Sequence, residues 1–347
     1  MADLLRDLAA QLPLAVLVAI IAASVFLLSK GADILVSEAV ALSRRFKVSP
    51  VIIGATIVSL GTTTPEAAVS VLSAIEGDPG LALGNAVGSV IANGALIVGV
   101  AALIRPIPVD RTMLRRQGSI QYGAAILLVL VSLPFATGEW GTLTEAGSRV
   151  PRAAGIVFVF LLGAYLFASA RWARGDDGDA VLPEEAADVP VPQTTAQTIA
   201  TIVKLVAGLA IVIAASQILI PAVEVSALRL GVPRAVVAAS LVALGTSLPE
   251  LVTAISASRK GHGELALGNV VGANVLNVLF VVGLSGAVTP GGLTVGPEFF
   301  RLLYPAMLVT GVVLYATAGL GRNRIGRTPG VLMLVLYVVI VVGGYVI

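Results

Sequence analysis

The feature that most constrains this chain is a succession of apolar segments, each about as long as a lipid bilayer is thick. Ten segments qualify or nearly qualify. They begin near Leu12, Val48, Leu81, Gln117, Ala153, Leu205, Ala235, Leu265, Leu302 and Thr328. A spanning helix needs about 20 mostly apolar residues. In lipid every backbone polar group must be bonded internally, so the segments are helices rather than open strands. The sequence therefore predicts an all-α integral membrane protein with ten transmembrane helices.

Composition restricts the classes of function that the chain can have. The chain is 57% hydrophobic and 12% charged, against about 25% charged for soluble domains. The first apolar stretch, Leu12–Ser29, exceeds the apolar core of a signal peptide, about 7–15 residues, so we expect a retained helix. There is no cysteine, which excludes disulfides and thiolate chemistry. The single histidine, His262, is expected in a solvated loop. Without a Ser–His pair, a zinc motif or a phosphate-binding Gly loop, we predict neither an enzyme nor a cofactor.

The loops carry unequal numbers of basic residues. With the N-terminus outside, most loop Lys and Arg, among them Arg44, Arg45, Arg115 and Arg116, fall on the cytoplasmic side. Because basic loops remain in the cytoplasm, the sequence predicts a cell-membrane protein with both termini outside and the central linker inside. The net charge of +2 reflects this topology and does not indicate nucleic-acid binding.

A repeat occurs at a constant offset. The motif "GTTTPE" ends at Glu66, and "GTSLPE" ends at Glu250, 184 residues later (250 − 66). At the same offset "LALGNAVGS" matches "LALGNVVGA", and 18 of the 45 positions from Ala55 to Gly99 equal their counterparts. Each copy lies in a unit of five predicted helices, and an odd number inverts the second unit. Inverted repeats with Gly- and Pro-interrupted helices are typical of secondary transporters that bind ions at the midplane.

The repeat also divides the chain into domains. We predict a first five-helix repeat at 1–173, an acidic, Pro-rich cytoplasmic linker at 174–195, and a second, inverted repeat at 196–347. The linker acids could sense calcium, but they lack the spacing of an EF-hand loop. A solvated linker is the simpler interpretation.

Each Gly-Thr-x-x-Pro-Glu motif is suited to binding a cation. Pro65 has no N–H to donate, which predicts a discontinuous helix that opens near Ser59 to Gly61. The freed carbonyls, the hydroxyls of Thr62 and Thr63, and the Glu66 carboxylate would then form an all-oxygen site. Hard cations such as Ca²⁺ and Na⁺ require such ligands. The second motif repeats this set with Thr246, Ser247, Glu250 and the carbonyl near Ala243.

A structural role for the two acids is the alternative. A buried Glu can be protonated and act only as a hydrogen-bond donor, but an acid at the bilayer centre costs several kcal/mol. Two idle acids at symmetric positions are therefore disfavoured. Asn93 and Asn277 are expected at the site, while Asn85 and Asn269 could instead cap or bridge helices. Gly84, Gly88, Gly268 and Gly272 are expected to allow close helix packing.

At these motifs the chain resembles the calcium/cation antiporter superfamily, which includes the sodium/calcium exchangers, and is most similar to its bacterial and archaeal branch. The resemblance implies exchange of Ca²⁺ against Na⁺ by alternating access. It implies Glu66 and Glu250 as central ligands, with oxygens from Ser59, Thr62, Thr63, Ser89, Asn93, Ala243, Thr246, Ser247 and Asn277. In other members asparagine is frequent at Val90, serine at Ala273, and aspartate occurs at Asn277. These departures bear on the number of Na⁺ sites.

Two other functions remain open at this point. One is a transporter of the same fold that is coupled to H⁺ or carries another divalent cation. Proton-coupled relatives tend to have Gly-Asn before the acid, whereas Gly-Thr-x-x-Pro precedes it here. The other is a passive cation channel, although a pore more naturally forms from a ring of subunits. K⁺ involvement is also left open. The expected partners are the transported ions and the lipid bilayer.

Overall fold

The structure is a computed structural model that describes residues 2–134, 143–175, 191–230, 246–320 and 323–344. The helices in these ranges are α1 Ala2–Gln11, α2 Leu14–Phe46, α3 Pro50–Thr62, α4 Thr64–Ile75, α5 Pro79–Ile104, α6 111–131, α7 Arg152–Gly175, α8 Thr195–Arg229, α9 Leu248–Arg259, α10 Gly263–Val288, α11 299–320 and α12 Arg327–Gly344. The strands are β1 Ile107–Pro108, β2 Ser148–Val150, β3 Leu293–Val295 and β4 Arg324–Ile325.

The fold is helical, as predicted. Among the described residues, seven helices are long and apolar enough to cross a membrane, or eight if α3 and α4 form one bent span. Helix α6 is of similar length but carries Arg111, Arg115 and Arg116 near its start. Helix α9 is the described part of the seventh predicted span, whose expected start at Ala235 lies outside the described residues. The count of ten therefore stays a prediction.

Two helices are longer than the sequence predicted. Helix α2 continues past the apolar stretch Leu12–Ser29 to Phe46, and Asp33 and Glu38 within it lie near Lys260 and Lys204. Helix α8 begins at Thr195 rather than near Leu205. Its start is fixed by a capping box, in which Gln197 N donates to Thr194 Oγ1 at 3.2 Å and Thr194 N donates to Gln197 Oε1 at 3.1 Å. Helix α1 was not predicted.

Two short ribbons join the two halves of the chain. Strand β1 pairs with β4, and β2 pairs with β3, both antiparallel. Each ribbon therefore combines one strand from residues before the linker with one from residues after it. The turns that precede α5 and α10 also correspond, because Gly77 and Gly261, 184 residues apart, both have positive φ, +98° and +82°. These features agree with an inverted duplication.

Helices α5 and α10 form the interior. The most apolar window of α10 is 94% buried and that of α5 is 72% buried, against 22% for α2 and 28% for α8. Helices α2 and α8 cross closely, since a Cβ on Gly31 would lie 3.0 Å from the Gly208 carbonyl oxygen. The two long helices thus lie outside a core that contains both repeated motifs.

Glycines bring α10 against α3. A Cβ on Gly268 would lie 2.3 Å from the Val51 carbonyl oxygen, and one on Gly272 would lie 2.3 Å from that of Ala55. The expected close packing is confirmed at these two positions. The expectation was wrong at Gly84, where the nearest atom would be 3.9 Å away, and at Gly88, where nothing lies within 4 Å.

The expectation for His262 was wrong. Its side chain is only 4% exposed, and its backbone N–H donates to the Ala257 carbonyl at 2.8 Å. The positive φ of Gly261 turns the chain back so that His262 packs under the end of α9. A polar residue in a short loop is buried here because the loop itself folds inward.

Candidate functional site: a pair of buried carboxylates between broken helices

Each acid lies in the first turn of a helix that starts with a proline. Glu66 follows Pro65 at the start of α4, and Glu250 follows Pro249 at the start of α9. Both side chains are 0% exposed, and Thr63, at the break before Glu66, donates to the Glu250 carboxylate at 3.4 Å. The amino end of a helix carries a partial positive charge. The fold therefore places two carboxylates where helix ends favour negative charge.

The break before Glu66 lies two residues later than expected. Helices α3 and α4 meet at a 42° bend at Thr63, not at Ser59 to Gly61. The Ser59 carbonyl is not free, since it accepts from Thr63 N at 2.9 Å and from Thr62 Oγ1 at 3.3 Å. The Thr62 and Thr64 hydroxyls donate to the carbonyls of Ser59 and Leu60, two of the three carbonyls that the sequence predicted to be free. Pro65, having no N–H, leaves the Gly61 carbonyl without its usual helical donor.

The carboxylates have few hydrogen-bond donors. Thr63 Oγ1 donates to Glu250 Oε1 at 3.4 Å. Glu66 Oε1, Glu66 Oε2 and Glu250 Oε2 are buried and have no partner among the described residues. Buried polar atoms in proteins are nearly always paired, because an unpaired one loses its hydration without compensation. A bound cation would satisfy these oxygens.

Hydroxyl and amide groups connect the two repeats across the site. Thr62 Oγ1 donates to Asn269 Oδ1 at 3.4 Å, and its counterpart Thr246 donates to Asn85 Oδ1 at 3.0 Å. Ser247 Oγ donates to Ser89 Oγ at 3.2 Å. At the 184-residue offset, Ser247 and Ser89 correspond to Thr63 and Ala273. Because Ala273 has no hydroxyl, the second pair cannot form the same bond. Asn85 and Asn269 therefore bridge helices, the role that the sequence analysis left open.

Most of the predicted site residues are buried together between α3, α4, α5, α9 and α10. Those with less than 4% exposure are Ser59, Thr62, Thr63, Glu66, Ser89, Asn93, Ser247, Glu250 and Asn277. Thr246 is half-buried, and Ala243 lies outside the described residues. The structure thus brings residues of both motifs to the same region of the interior.

Asn93 and Asn277 lie in π-helical segments, Ala92–Ile97 and Asn277–Val282. Both amides are 0% exposed and have no partner within the described part of the chain. Single π-helical turns inside α-helices occur frequently at functional sites. The sequence did not predict these π-helical segments. They nevertheless occur at corresponding positions of the two repeats, since their starts match the 184-residue offset to within one residue.

The two ends of the site differ in accessibility. Asn85 and Thr246 are half-buried, whereas Asn269 and Thr62 are 0% exposed. Asn85 lies near the start of α5, away from the helix ends that flank the linker. The site is therefore more open at the end opposite the linker.

The closed end carries a polar cluster that ties α2 to the loop after α9. Lys260 Nζ donates to the Asp33 carbonyl at 2.6 Å and to Ser37 Oγ at 2.9 Å, and lies 3.6 Å from Asp33 Oδ1. Ser256 Oγ donates to Asp33 Oδ1 at 2.6 Å. Burial lowers the pKa of Lys260, and the Asp33 charge acts in the opposite direction. At the 184-residue offset, Gln217 and Glu76 replace Asp33 and Lys260, so the cluster is absent from the other repeat.

The oxygens around Glu66 and Glu250 would suit a hard cation and carry little fixed charge. No group of three or more His, Cys, Asp or Glu side chains that could hold a metal occurs among the described residues. The oxygens near Glu66 and Glu250 instead come from hydroxyls and amides. Ca²⁺ and Na⁺ prefer such oxygen ligands, whereas zinc prefers nitrogen and sulfur.

Comparison with known proteins matches this chain to a family. The sodium/calcium exchanger protein family matches residues 16–171 and 200–346. The putative antiporter CaxA of Alkalimonas amylolytica is 34% identical over 90% of this chain and 93% of its own length. The sodium/calcium exchanger MaX1 of Methanosarcina acetivorans is 33% identical over 91% of this chain and 94% of its own.

A solved structure has the same fold. The sodium-calcium exchanger NCX_Mj, soaked with 10 mM Na⁺ and zero Ca²⁺, superposes with a TM-score of 0.77 and 25% identity, covering 95% of this chain and 99% of that chain. The family match covers most of the chain in two stretches on either side of the linker. This chain therefore belongs to the sodium/calcium exchanger protein family and is a multi-pass membrane cation antiporter, not an enzyme.

Proposed function

We propose that this protein exchanges Ca²⁺ for Na⁺ by alternating access, with the ions held by Glu66 and Glu250. The observation that carries the proposal is the set of three buried carboxylate oxygens without partners among the described residues. Further oxygens would come from Thr62, Thr63, Ser89, Asn93, Thr246, Ser247 and Asn277, and from the Ala243 carbonyl. The Ser59 carbonyl already accepts two hydrogen bonds, so it would have to exchange the one from Thr62 for the ion. The names of CaxA and MaX1 support antiport and sodium/calcium exchange, respectively.

Charge balance favours competition between the two ions. Two ionised carboxylates neutralise one Ca²⁺ or two Na⁺. A third Na⁺ would depend on neutral oxygens, because Asn277 carries no charge and Ala273 lacks a hydroxyl. In low dielectric an uncompensated charge is costly, so we expect Na⁺-driven exchange with weak apparent Na⁺ affinity.

The orientation is part of the proposal. With the linker in the cytoplasm and both termini outside, the half-buried Asn85 and Thr246 face the cell exterior. The structure then corresponds to a carrier whose outer side is the more accessible. The polar cluster of Asp33, Ser37, Ser256 and Lys260 would close the inner side.

Proton coupling is the second candidate. A buried carboxylate without a partner can also bind a proton, so Glu66 and Glu250 would suit an H⁺-coupled divalent-cation exchanger. The decisive measurement is Ca²⁺ flux into vesicles under opposed Na⁺ and pH gradients with the membrane potential clamped. Flux that follows the Na⁺ gradient supports the proposal. Flux that follows only the pH gradient favours the alternative, and flux without a counter-ion indicates a channel.

The site assignment is tested by Glu66→Gln and Glu250→Gln. Removing one partner of a buried charge pair costs about 3–5 kcal/mol, which corresponds to more than about a hundredfold in cation affinity. Each variant should therefore lose Ca²⁺ transport. Glu224→Gln is the matched control, because this residue is paired with Arg6 at 2.8 Å outside the site. Near-normal Ca²⁺ uptake by either site variant would exclude the proposed ligands.

A further inference from the structure

The two hydroxyl–amide bridges, although related by the repeat, have different surroundings. Asn85 uses all of its side-chain groups: Oδ1 accepts from Thr246, and Nδ2 donates to Ser70 Oγ at 3.0 Å and to the Glu66 carbonyl at 3.5 Å. Asn269 Oδ1 accepts from Thr62, but its Nδ2 is buried without a partner among the described residues. Ala254 occupies the position that corresponds to Ser70.

One sequence difference removes the hydroxyl acceptor. Ser70 and Asn85 are 15 residues apart, as are Ala254 and Asn269 (269 − 254). Helix α9 packs against α10 as α4 packs against α5. Ala254 and Asn269 are both 0% exposed. A methyl group at residue 254 cannot accept a hydrogen bond. The Glu250 carbonyl, which corresponds to that of Glu66, does not accept from Asn269 Nδ2 either, so this amide nitrogen is unpaired among the described residues.

The amide determines what the threonine hydroxyl can do. A hydroxyl has one hydrogen and two lone pairs. When its hydrogen points to an amide oxygen, its lone pairs remain free for a cation. If the amide reverses, its N–H₂ donates to the hydroxyl oxygen and competes with the cation for a lone pair. The orientation of the asparagine therefore sets the strength of the threonine as a ligand.

Two observations distinguish the bridges in this respect. The Thr246–Asn85 bond is 3.0 Å long, and Ser70 together with the Glu66 carbonyl holds the Asn85 amide in place. The one hydrogen of the Thr62 hydroxyl has several acceptors within reach: Asn269 Oδ1 at 3.4 Å, the Ser59 carbonyl at 3.3 Å and the Glu250 carboxylate. The Thr246 hydroxyl is thus fixed as an acceptor, and the Thr62 hydroxyl is not.

We infer that Asn85 and Asn269 are positioning residues for cation binding, and that Ala254 leaves Asn269 free to reverse. Thr62, near the linker end of the site, is consequently a weaker and switchable ligand, while Thr246 at the opposite end is a fixed one. The inference rests on the proposed function, because it concerns ligands of the same cations. One serine-to-alanine difference, Ser70 against Ala254, then underlies the different ligand strengths of Thr246 and Thr62.

The test exchanges the two residues. Ala254→Ser supplies the missing acceptor and should lower the half-saturating concentration of Na⁺ or Ca²⁺ by about three- to tenfold, the effect of one hydrogen bond. Ser70→Ala should raise it by a similar factor. In both variants the maximal flux per folded protein should change less than the half-saturating concentration, which a purely structural defect would not produce.

A double variant identifies the path of the effect. With Thr62→Val the hydroxyl is absent, so Ala254→Ser should no longer change cation affinity, as a double-mutant cycle would show. If Ala254→Ser fails to fold, Ser70→Ala carries the test alone. Unchanged affinities in Ser70→Ala, or in folded Ala254→Ser, overturn the inference while Glu66→Gln still abolishes transport. If Glu66→Gln transports normally, the proposed site itself is wrong.

Discussion

Replacing Gly272 by alanine tests how closely the candidate site depends on helix packing. The added Cβ would lie 2.3 Å from the Ala55 carbonyl oxygen, 2.6 Å from Ala55 Cα and 2.6 Å from Ser59 Oγ. Two of these atoms are backbone and cannot rotate away. Bringing the closest contact to an ordinary distance would move α3 and α10 apart by roughly 1 Å, and such a gap removes a quarter to a half of the dispersion energy of the contacts that line it.

We expect Gly272→Ala to destabilise the protein by about 3 kcal/mol, the upper end of the usual cost of overpacking. Thermal unfolding in detergent should show a midpoint several degrees lower. Because Ser59 belongs to the same helix as Thr62, the half-saturating Ca²⁺ concentration should rise as well. Both shifts have the same cause, the displacement of α3.

Gly163→Ala provides the control. Gly163 is exposed on α7, and nothing lies within 4 Å of a Cβ built there. Alanine has a higher helix propensity than glycine by about 1 kcal/mol, so this variant should be as stable as the original chain or more so. If Gly272→Ala unfolds at the same temperature as Gly163→Ala, the close packing described here is not a source of stability.

Three further predictions address orientation, closure and coupling. Gly178→Cys, in a chain without native cysteine, should resist an impermeant thiol reagent added outside intact cells; labelling there would reverse the proposed topology. Lys260→Met should make a cysteine at Ser37 react faster from the linker side, while the charge-matched Arg259→Met should not, since Arg259 is exposed; equal rates would show that Lys260 does not hold that end closed. Asn277→Asp adds a carboxylate and should tighten apparent Na⁺ affinity in flux assays, a result that unchanged Na⁺ dependence would contradict.

The sequence alone was sufficient for the class of fold and for the motifs of the site. Apolar segments of bilayer length require helices, because lipid offers no hydrogen bonds to an exposed backbone. The 184-residue offset places Glu66 and Glu250 in equivalent surroundings, and both are 0% exposed in the structure. Proline and glycine at constant spacing predicted a discontinuous helix, which the 42° bend between α3 and α4 confirms.

Only the tertiary structure decided how these residues are connected. The bend is at Thr63 rather than at Ser59 to Gly61: Pro65 cannot donate to the Gly61 carbonyl, while the Thr62 and Thr64 hydroxyls bind the Ser59 and Leu60 carbonyls. Asn85 and Asn269 bridge the repeats because inversion brings each opposite a threonine of the other motif, a contact between residues more than 150 positions apart. Local sequence preferences carry no information about such distant pairs. The Asn85 amide is held by Ser70, whereas Ala254 offers the Asn269 amide no acceptor. These residues meet only because the helices that carry them pack together.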